Sequence, residues 1–260
     1  MTLAFITWNV NPEIFSFWIL HIRWYGLLFA LGFVVGYYIM AWIFKREKIE
    51  IKILDSLTTY MVVSTVIGAR LGHVLFYEPA TYFAHPLDIL KIWEGGLASH
   101  GAAIGIMIAL WLFGREYKKP WLWTLDRIVI VTALAGAFIR MGNLMNSEIY
   151  GHATSLPWAF IFANDDNIPR HPTQIYEALC YVATFFFLLW KYRQTAAQPM
   201  GRIFGWFLIC IFGSRFFIEF LKEPQVMFEQ TMALNMGQLL SIPFVIGGVW
   251  LVMRKSKNYL

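Results

Sequence analysis

Residues 17–43 read FWILHIRWYGLLFALGFVVGYYIMAWI, an apolar run in which His21 and Arg23 are the only basic side chains. A bilayer core about 30 Å thick is crossed by about 20 mostly apolar residues in a helix, so this run predicts a transmembrane span. The run begins too far along the chain, and with too little positive charge ahead of it, to be a cleaved signal peptide. It therefore indicates a membrane protein.

The composition of the whole chain agrees with that class. Apolar residues make up 58 % and charged residues 14 % of the 260 residues, whereas a soluble chain has roughly 45–50 % and about 25 %. A chain of this size has too little interior to hide so much apolar surface from water, and too few polar residues to be disordered. Its two cysteines, Cys180 and Cys210, lie in apolar runs, which excludes a disulfide scaffold and a thiolate zinc site. We expect no metal and no cofactor.

Seven stretches are apolar and long enough to be spans. The third is rich in glycine and alanine rather than leucine, and the fifth is short. The predicted spans cover residues 17–43, 55–76, 95–113, 121–141, 173–190, 201–221 and 235–253. The predicted fold class is therefore an all-α polytopic membrane protein with seven transmembrane helices, forming one integral membrane domain over residues 1–260.

Most lysines and arginines outside the predicted spans fall on one side of the predicted membrane. Thirteen follow spans one, three, five and seven, whereas only Lys91, Arg170 and Lys222 lie in the segments at the opposite ends. Positive residues favour the cytoplasm, so the N-terminus is predicted outside and the C-terminus in the cytoplasm. This topology accounts for the formal charge of +5, and no nucleic-acid partner is expected.

The segments between spans are short, except for residues 142–172. This segment contains the polar run from Asn164 to Asn167 followed by Pro169, and it is predicted to form a small cap on the outer face. No internal repeat is visible, which argues against an inverted-repeat transporter.

Ionisable residues within predicted spans are costly and usually mark function. Asp126 and Arg127 have an alternative interpretation as an interfacial anchor, and Arg23 can extend its charge to the membrane surface. The ionisable residues in or at the ends of spans are Arg23, Arg70, His73, His100, Arg127, Arg140, Glu177, Arg215 and Glu219.

Two of these sets have helical spacing. Arg215 and Glu219 are four residues apart, so they share a helix face and can pair. That pair is either purely structural or leaves guanidinium donors for an anion. Arg70 and His73 are three residues apart and share one face of span two. Arg70 lies in the sequence GARLG of residues 68–72, in which glycines four apart let a second helix approach closely.

The remaining polar residues concentrate near the outer face. His100 stands among small residues in span three, where it is either a packing residue or a proton carrier with an unperturbed pKa of about 6.5. The densest polar cluster is RMGNLMNSEIYG over residues 140–151, and residues 171–177, which end in Glu177, open span five at the same level. Two or three arginines there could hold a phosphate, and the phosphate carrier at this depth is a phospholipid.

These motifs resemble the phosphatidylglycerol–prolipoprotein diacylglyceryl transferase family of bacteria almost end to end. Residues 140–151 look like the family signature. The chain departs from the family pattern at Ile139, at Ile211 and at Lys222, where an arginine is common. The matching motifs are IRWYG (22–26), GARLG (68–72), WEGGL (93–97), SHG (99–101), RMGNLMNSEIYG (140–151), HPTQIYE (171–177), the pair Arg215 and Glu219, and MGQLLS (236–241).

The resemblance implies an enzyme of the bacterial inner membrane. It would transfer the sn-1,2-diacylglyceryl group of phosphatidylglycerol to the lipobox cysteine of a prolipoprotein signal peptide, forming a thioether and releasing glycerol phosphate. By the resemblance, Arg140 and Arg215 bind the lipid phosphate and His100 is a candidate base. Arg70 and Glu177 are further candidates for substrate binding. Other positions that match those on which the family relies are Tyr25, Asn143, Glu148, Gly151 and Glu219.

The residues support this chemistry and leave alternatives. A thiol with a pKa of about 8.5 must ionise to attack, which a neutral histidine or two arginines would assist. Paired arginines would also stabilise the leaving phosphate oxygen in a dry site. A proton-coupled carrier would use His100, Glu177 and the Arg215–Glu219 pair as a relay, but its polar groups should occupy both halves of the membrane. A seven-span receptor or an intramembrane protease fits less well, because long cytoplasmic loops and paired catalytic groups are missing from the sequence.

Overall fold

A computed structural model describes residues 5–17, 20–92, 95–194, 199–224 and 232–254. The chain divides into two compact units, a larger one of residues 1–39 and 126–260 and a smaller one of residues 40–125. The sequence features that lie outside the described residues are Trp18 and Ile19 of the first predicted span, Trp93 and Glu94 of the WEGGL motif, and the basic residues Lys255 and Lys257.

The described part of the chain is mostly helical. Six of its helices are long and apolar enough to cross a membrane. The third predicted span corresponds to helix α4, which is not among these six. Helix α4 begins with Ser99 and His100 and ends with Arg115 and Glu116. These polar residues at both ends lower its mean hydropathy. The long helices are α1 (Trp24–Arg46), α2 (Ile51–Phe76), α4 (Ser99–Glu116), α5 (Trp121–Met145), α6 (Thr173–Gln194), α7 (Arg202–Ile218) and α8 (Met236–Met253), and the short α3 covers Pro79–Ala84.

The first predicted span starts too early. Strands β2 (Glu13–Phe17) and β3 (Leu20–Arg23) form an antiparallel hairpin, and α1 begins only at Trp24. Glu13 stands opposite Arg23 in this hairpin, and its carboxylate lies 3.5 Å from the Arg23 guanidinium. Opposite charges on facing strand positions stabilise a hairpin, which explains why apolar residues ahead of Trp24 do not continue the helix.

Within the smaller unit, α2 and α4 approach each other closely through glycines. A Cβ atom on Gly101 would lie 2.3 Å from the Gly68 carbonyl oxygen, and one on Gly72 would lie 2.7 Å from the Gly101 Cα. The predicted close approach at residues 68–72 is therefore confirmed. After α2 the chain turns through α3 and a 3₁₀ helix, Pro86–Leu90.

Within the larger unit, the start of α7 is capped by a carboxylate from α5. Asp126 accepts hydrogen bonds from the backbone N–H groups of Gly201 at 2.6 Å and Phe204 at 2.8 Å. These are donors that a helix start otherwise leaves unpaired. Asp126, which sequence analysis treated as part of an interfacial anchor, is fully buried and joins two helices.

The cap contains a small three-stranded sheet that the sequence did not indicate. Strand β1 (Ile6–Trp8) pairs in parallel with β4 (Phe160–Phe162), which pairs antiparallel with β5 (Pro169–Arg170). Phe160 and Phe162 pack with Leu144 of α5, and Trp8 Nε1 donates to the Leu144 carbonyl at 3.0 Å. Helix α5 continues to Met145, so residues 142–145 of the predicted cap segment are helical, and strand β1 shares the sheet of this segment.

Large apolar side chains remain exposed along the helices. Val34 of α1 is 52 %, Ile67 of α2 is 52 % and Ile246 of α8 is 63 % exposed. Contiguous apolar surface of this kind marks a protein or membrane contact rather than a surface in water. The exposed helix faces therefore agree with a bilayer as the surrounding medium.

Candidate active site

The last turns of α5 hold the first part of the candidate site. Arg140 and Asn143 are three residues apart and share one helix face, and Arg140 Nη1 donates to Asn143 Oδ1 at 3.2 Å. Asn143 Nδ2 in turn donates to Glu148 Oε1 at 2.8 Å, and Asn146 Nδ2 donates to the same oxygen at 3.1 Å. The predicted cluster of residues 140–148 thus forms one hydrogen-bonded chain that fixes the Arg140 side chain.

Glu177 on α6 supplies the second contact of Arg140. The Arg140 Nε atom lies 2.9 Å from Glu177 Oε2, and the Glu177 side chain is fully buried. The other carboxylate oxygen, Oε1, accepts a hydrogen bond from Lys222 Nζ at 3.0 Å. A buried carboxylate is tolerated when it is paired in this way. Glu177 therefore holds two cations that come from different parts of the chain.

Lys222 continues the network to the end of α7. Its Nζ atom also donates to Glu219 Oε2 at 3.2 Å, and the Arg215 Nε atom lies 3.8 Å from the same oxygen. The predicted pairing of Arg215 with Glu219 is thus present, at a distance longer than a hydrogen bond. The Arg215 side chain is 36 % exposed, so its guanidinium can still meet a ligand.

Two glycines let the backbone come close to this network. A Cβ atom on Gly151 would lie 2.3 Å from the Leu221 carbonyl oxygen and 2.8 Å from the His171 Cβ. The Gly151 N–H donates to the His171 carbonyl at 2.9 Å. A Cβ atom on Gly237, in the first turn of α8, would lie 2.6 Å from the Glu219 carboxylate carbon. Any larger residue at either position would displace the groups around Lys222.

Tyr25, near the start of α1, packs against the same end of α5. A Cβ atom on Gly142 would lie 2.8 Å from the Tyr25 Cδ2 and 3.3 Å from the Tyr25 Cα. The Tyr25 ring therefore lies against α5 at Gly142, which precedes Asn143 in the chain. The larger unit contains most of the predicted site residues. They are Tyr25, Arg140, Asn143, Glu148, Gly151, Glu177, Arg215 and Glu219.

Arg70 lies in the smaller unit, where backbone carbonyls surround its guanidinium. Nε donates to Ile89 at 2.8 Å, Nη1 donates to Gly95 at 2.7 Å, and Nη2 donates to Asp88. Gly96 has a φ of +68°, and a Cβ atom there would lie 2.6 Å from Arg70 Nη1, so only glycine fits this position. Arg70 thus organises the loop that precedes α4.

His100 also lies in the smaller unit, in the first turn of α4. Its ring stacks on Tyr77 at a centroid distance of 5.7 Å, and Tyr77 stacks on His73 at 5.5 Å. The Phe76 and His100 rings are T-shaped to each other, with a centroid distance of 5.7 Å. The His100 residue is nevertheless exposed, so its ring remains accessible to a reacting group.

The cap has its own charged network around Arg170. Arg170 Nε and Nη2 both donate to Asp166 Oδ2, at 2.9 and 2.7 Å, and Arg170 Nη1 lies 3.2 Å from Glu223 Oε2. The hydrogen bond from Arg170 holds the pKa of Asp166 below its usual range. Burial, followed by the hydrogen bond to Asp165, raises the pKa of Tyr150 to about 12.

A second cap contact lies directly before α6. His171 Nδ1 is 3.2 Å from the Tyr176 hydroxyl oxygen, to which Trp158 Nε1 donates at 2.9 Å. Burial, and then the nearby His152, lowers the pKa of His171. His171 is therefore neutral at pH values at which an exposed histidine would begin to ionise.

Sequence analysis missed two residues of the site, Lys222 and Gln174. Lys222 was assigned to the few basic residues of the outer segments, but it is 5 % exposed. Because Lys222 follows Glu219 by three residues, helical spacing could have indicated its contact with the Glu219 carboxylate. Gln174 is fully buried, and its Nε2 donates to the Glu148 carbonyl at 2.6 Å. Within the described residues, no group of three or more His, Cys, Asp or Glu side chains could hold a metal ion.

The fold and the site define a helical membrane protein in which Arg140 pairs with the buried carboxylate of Glu177 and Arg215 lies 3.8 Å from Glu219. The model of the prolipoprotein diacylglyceryl transferase family matches residues 12–254, and the chain belongs to this family. The activity class implied by the sequence motifs is thereby confirmed, and the chain is a transferase.

Full-length relatives agree with this assignment. A phosphatidylglycerol–prolipoprotein diacylglyceryl transferase of Porphyromonas gingivalis is 50 % identical over 276 residues, covering 99 % of this chain and 98 % of that protein. One of Tolumonas auensis is 48 % identical over 252 residues, covering 96 % and 98 %. One of Bacteroides fragilis is 43 % identical over 269 residues, covering 98 % and 97 %.

Proposed function

We propose that this chain transfers the sn-1,2-diacylglyceryl group of phosphatidylglycerol to the lipobox cysteine of prolipoproteins. The cysteine sulfur attacks the glyceryl carbon that carries the phosphate ester. A carbon–sulfur bond forms, the carbon–oxygen bond breaks, and its electron pair leaves with glycerol phosphate. The thiol proton passes to a base. The observation that carries this proposal is the Arg140 side chain held between Glu177 and Asn143, with the accessible Arg215 belonging to the same charged network.

Arg140 and Arg215 are proposed to bind the lipid phosphate. Guanidinium groups bind phosphate through two parallel hydrogen bonds. Negative charge develops on the leaving phosphate oxygen during carbon–oxygen cleavage, and fixed cations in a dry site stabilise that charge strongly. Glu177, Asn143 and Glu148 orient Arg140, while Glu219 lies 3.8 Å from Arg215 and leaves its donors to the phosphate. We propose that Tyr25 and Gly151 maintain the backbone positions around the bound headgroup.

His100 is proposed as the base that accepts the thiol proton. Its ring is exposed at the start of α4 and rests on Tyr77, an arrangement that leaves a ring nitrogen able to accept a proton. General-base assistance contributes about 10²–10⁴ to a reaction rate. Arg70, with its guanidinium donating to the loop before α4, is proposed to support lipid binding by keeping that loop in place.

We place the chain in the bacterial inner membrane as one seven-span domain, with α4 as the third span. The alternation of basic residues supports an external N-terminus and a cytoplasmic C-terminus. Within the larger unit, the contact of Arg140 and Glu177 joins the end of α5 to the start of α6, which fits helices that run in alternate directions. The site then faces the outer leaflet, where phosphatidylglycerol and the emerging lipobox cysteine can meet.

The test uses purified protein in phosphatidylglycerol nanodiscs with a lipobox peptide that contains one cysteine. Mass spectrometry should detect a diacylglyceryl adduct on the thiol and glycerol phosphate in solution. A peptide with serine in place of cysteine, and nanodiscs of phosphatidylcholine alone, should give no adduct. Absence of an adduct from the cysteine peptide, with folded protein and intact lipid, would overturn the proposal and favour a carrier, which flux into sealed liposomes would reveal.

A further inference from the structure

Lys222 occupies an unusual place for a lysine. It follows the 3₁₀ helix Glu219–Leu221 and its side chain is only 4 % exposed. Its backbone forms a bridge with Gly151, which ties this residue to the cap. A buried ammonium group needs acceptors to replace water, and Lys222 finds them in Glu177 at 3.0 Å and Glu219 at 3.2 Å.

These contacts connect the two candidate phosphate-binding arginines through alternating charges. Arg140 contacts Glu177 at 2.9 Å, and Glu219 contacts Arg215 at 3.8 Å. Lys222 lies between the two carboxylates and donates to both. The five groups carry three positive and two negative charges. Without Lys222, the two arginines would be fully neutralised by the two carboxylates.

We infer that Lys222 is a positioning residue that keeps Arg140 and Arg215 available to the phosphate of the lipid substrate. This inference rests on the proposed function, because it assumes that the two arginines bind that phosphate. Lys222 neutralises part of the charge on Glu177 and Glu219, so neither carboxylate takes up all the donors of its arginine. It also leaves the group with one net positive charge, which favours an anion.

The distances to Glu219 support these separate roles of Lys222 and Arg215. The Arg215 contact with Glu219 is longer than a hydrogen bond, while the Lys222 contact with the same carboxylate oxygen is 3.2 Å. Glu219 is thus engaged mainly by Lys222, and Arg215 keeps its donors. Burial matters as well, since charges away from solvent are screened little by salt. Removing the ammonium should draw Arg215 onto Glu219 and weaken binding of the phosphate.

The experiment compares variants at increasing mole fractions of phosphatidylglycerol in phosphatidylcholine nanodiscs, with a saturating lipobox peptide. Lys222→Met should raise the KM for phosphatidylglycerol about tenfold, with a smaller fall in kcat, because the loss is mainly in anion binding. Lys222→Arg keeps the charge and should restore KM to within about twofold. Lys52→Met removes an exposed lysine from the start of α2 and should change neither constant.

A charge-balanced double variant separates positioning from a general loss of structure. Lys222→Met with Glu219→Gln removes one charge of each sign, so the remaining groups again carry one net positive charge, and it also removes the carboxylate onto which Arg215 would be drawn. Its KM should return toward the wild-type value even if kcat stays low, whereas a purely structural lysine would leave the double variant worse than either single one. If Lys222→Met does not purify as a folded protein, Lys222→Gln takes its place in the same comparison.

The outcomes are distinct. A wild-type KM in Lys222→Met or Lys222→Gln, with active wild-type protein, would overturn this inference and leave the proposed function intact. So would a double variant with no recovery of KM. A wild-type protein that transfers nothing at any fraction of phosphatidylglycerol would overturn both.

Discussion

The Arg140 Nε atom lies 2.9 Å from the carboxylate of Glu177, a residue with no solvent exposure. Taking a carboxylate out of water costs several kcal/mol, and only close cationic partners offset this cost. The pair therefore fixes the end of α5 against the start of α6. It also sets the direction of the Arg140 guanidinium.

Glu177→Gln preserves the shape of the side chain but removes its charge. Arg140 and Lys222 would then lose their common partner. We expect the free energy of unfolding to fall by about 3 kcal/mol and the transfer rate to fall about 100-fold, because Arg140 would be misplaced. Glu50→Gln, at an exposed carboxylate before α2, is the matched control. Thermal unfolding and the adduct assay measure both effects, and an unaffected rate in folded Glu177→Gln would contradict the account.

Gly151→Ala tests the close backbone approach beside Lys222. The added methyl group would lie 2.3 Å from the Leu221 carbonyl oxygen, a distance that forces the backbone to move. We expect transfer to fall at least about tenfold, with a destabilisation of about 1–3 kcal/mol from overpacking.

Gly247→Ala provides the comparison, because a Cβ atom on Gly247 in α8 would meet nothing within 4 Å. That variant should keep its activity and melting temperature. Equal behaviour of the two alanine variants would show that the approach at Gly151 carries no function.

Asp166 should make the cap sensitive to acid. Its pKa is lowered by the hydrogen bonds from Arg170, so the pair stabilises the cap above the ordinary pKa of about 3.9. This stabilisation is lost as pH falls through the depressed value in the folded state. Asp166→Asn should remove about 0.5–1 kcal/mol near pH 6.

Hydrogen exchange of the amides in residues 159–171 measures this effect at matched pH. At pH 6 the variant should exchange about two- to fivefold faster than wild type, as expected for 0.5–1 kcal/mol. Below the depressed pKa of Asp166 the two proteins should exchange alike. A difference that is independent of pH would point to lost packing instead of lost charge.

His100→Gln tests the assignment of the base. We expect the transfer rate to fall about 100-fold at neutral pH. The deficit should shrink as pH rises toward the thiol pKa of about 8.5, because more thiolate is then present without a base. A pH profile of initial rates measures this, with His85→Gln at an exposed histidine as the control. A constant deficit at every pH would assign His100 to binding or packing.

Hydropathy and charge predicted the helices well because the membrane imposes a simple rule on composition. The first span was placed too early because residues 20–23 form strand β3, and hydropathy does not describe the pairing of Glu13 with Arg23 across the two strands. The third predicted span corresponds to helix α4, whose polar ends leave it outside the six described helices that are apolar enough to cross a membrane.

The candidate site was predictable where its contacts are local. Arg140 with Asn143, and Arg215 with Glu219, follow from helical spacing alone. The contact of Lys222 with Glu177 joins distant parts of the chain, so helical spacing cannot predict it. Helical spacing likewise cannot predict the parallel pairing of β1 with β4, which brings residues 6–8 against residues 160–162.

The central claim is that Arg140 holds the phosphate of a lipid whose diacylglyceryl group is transferred to a cysteine thiol. Its most direct test is the adduct formed by Arg140→Ala in phosphatidylglycerol nanodiscs, beside wild type and Lys52→Ala. The account predicts a normal adduct for the two controls and a loss of at least about 100-fold in folded Arg140→Ala. A folded Arg140→Ala protein that forms the adduct at the wild-type rate would contradict it.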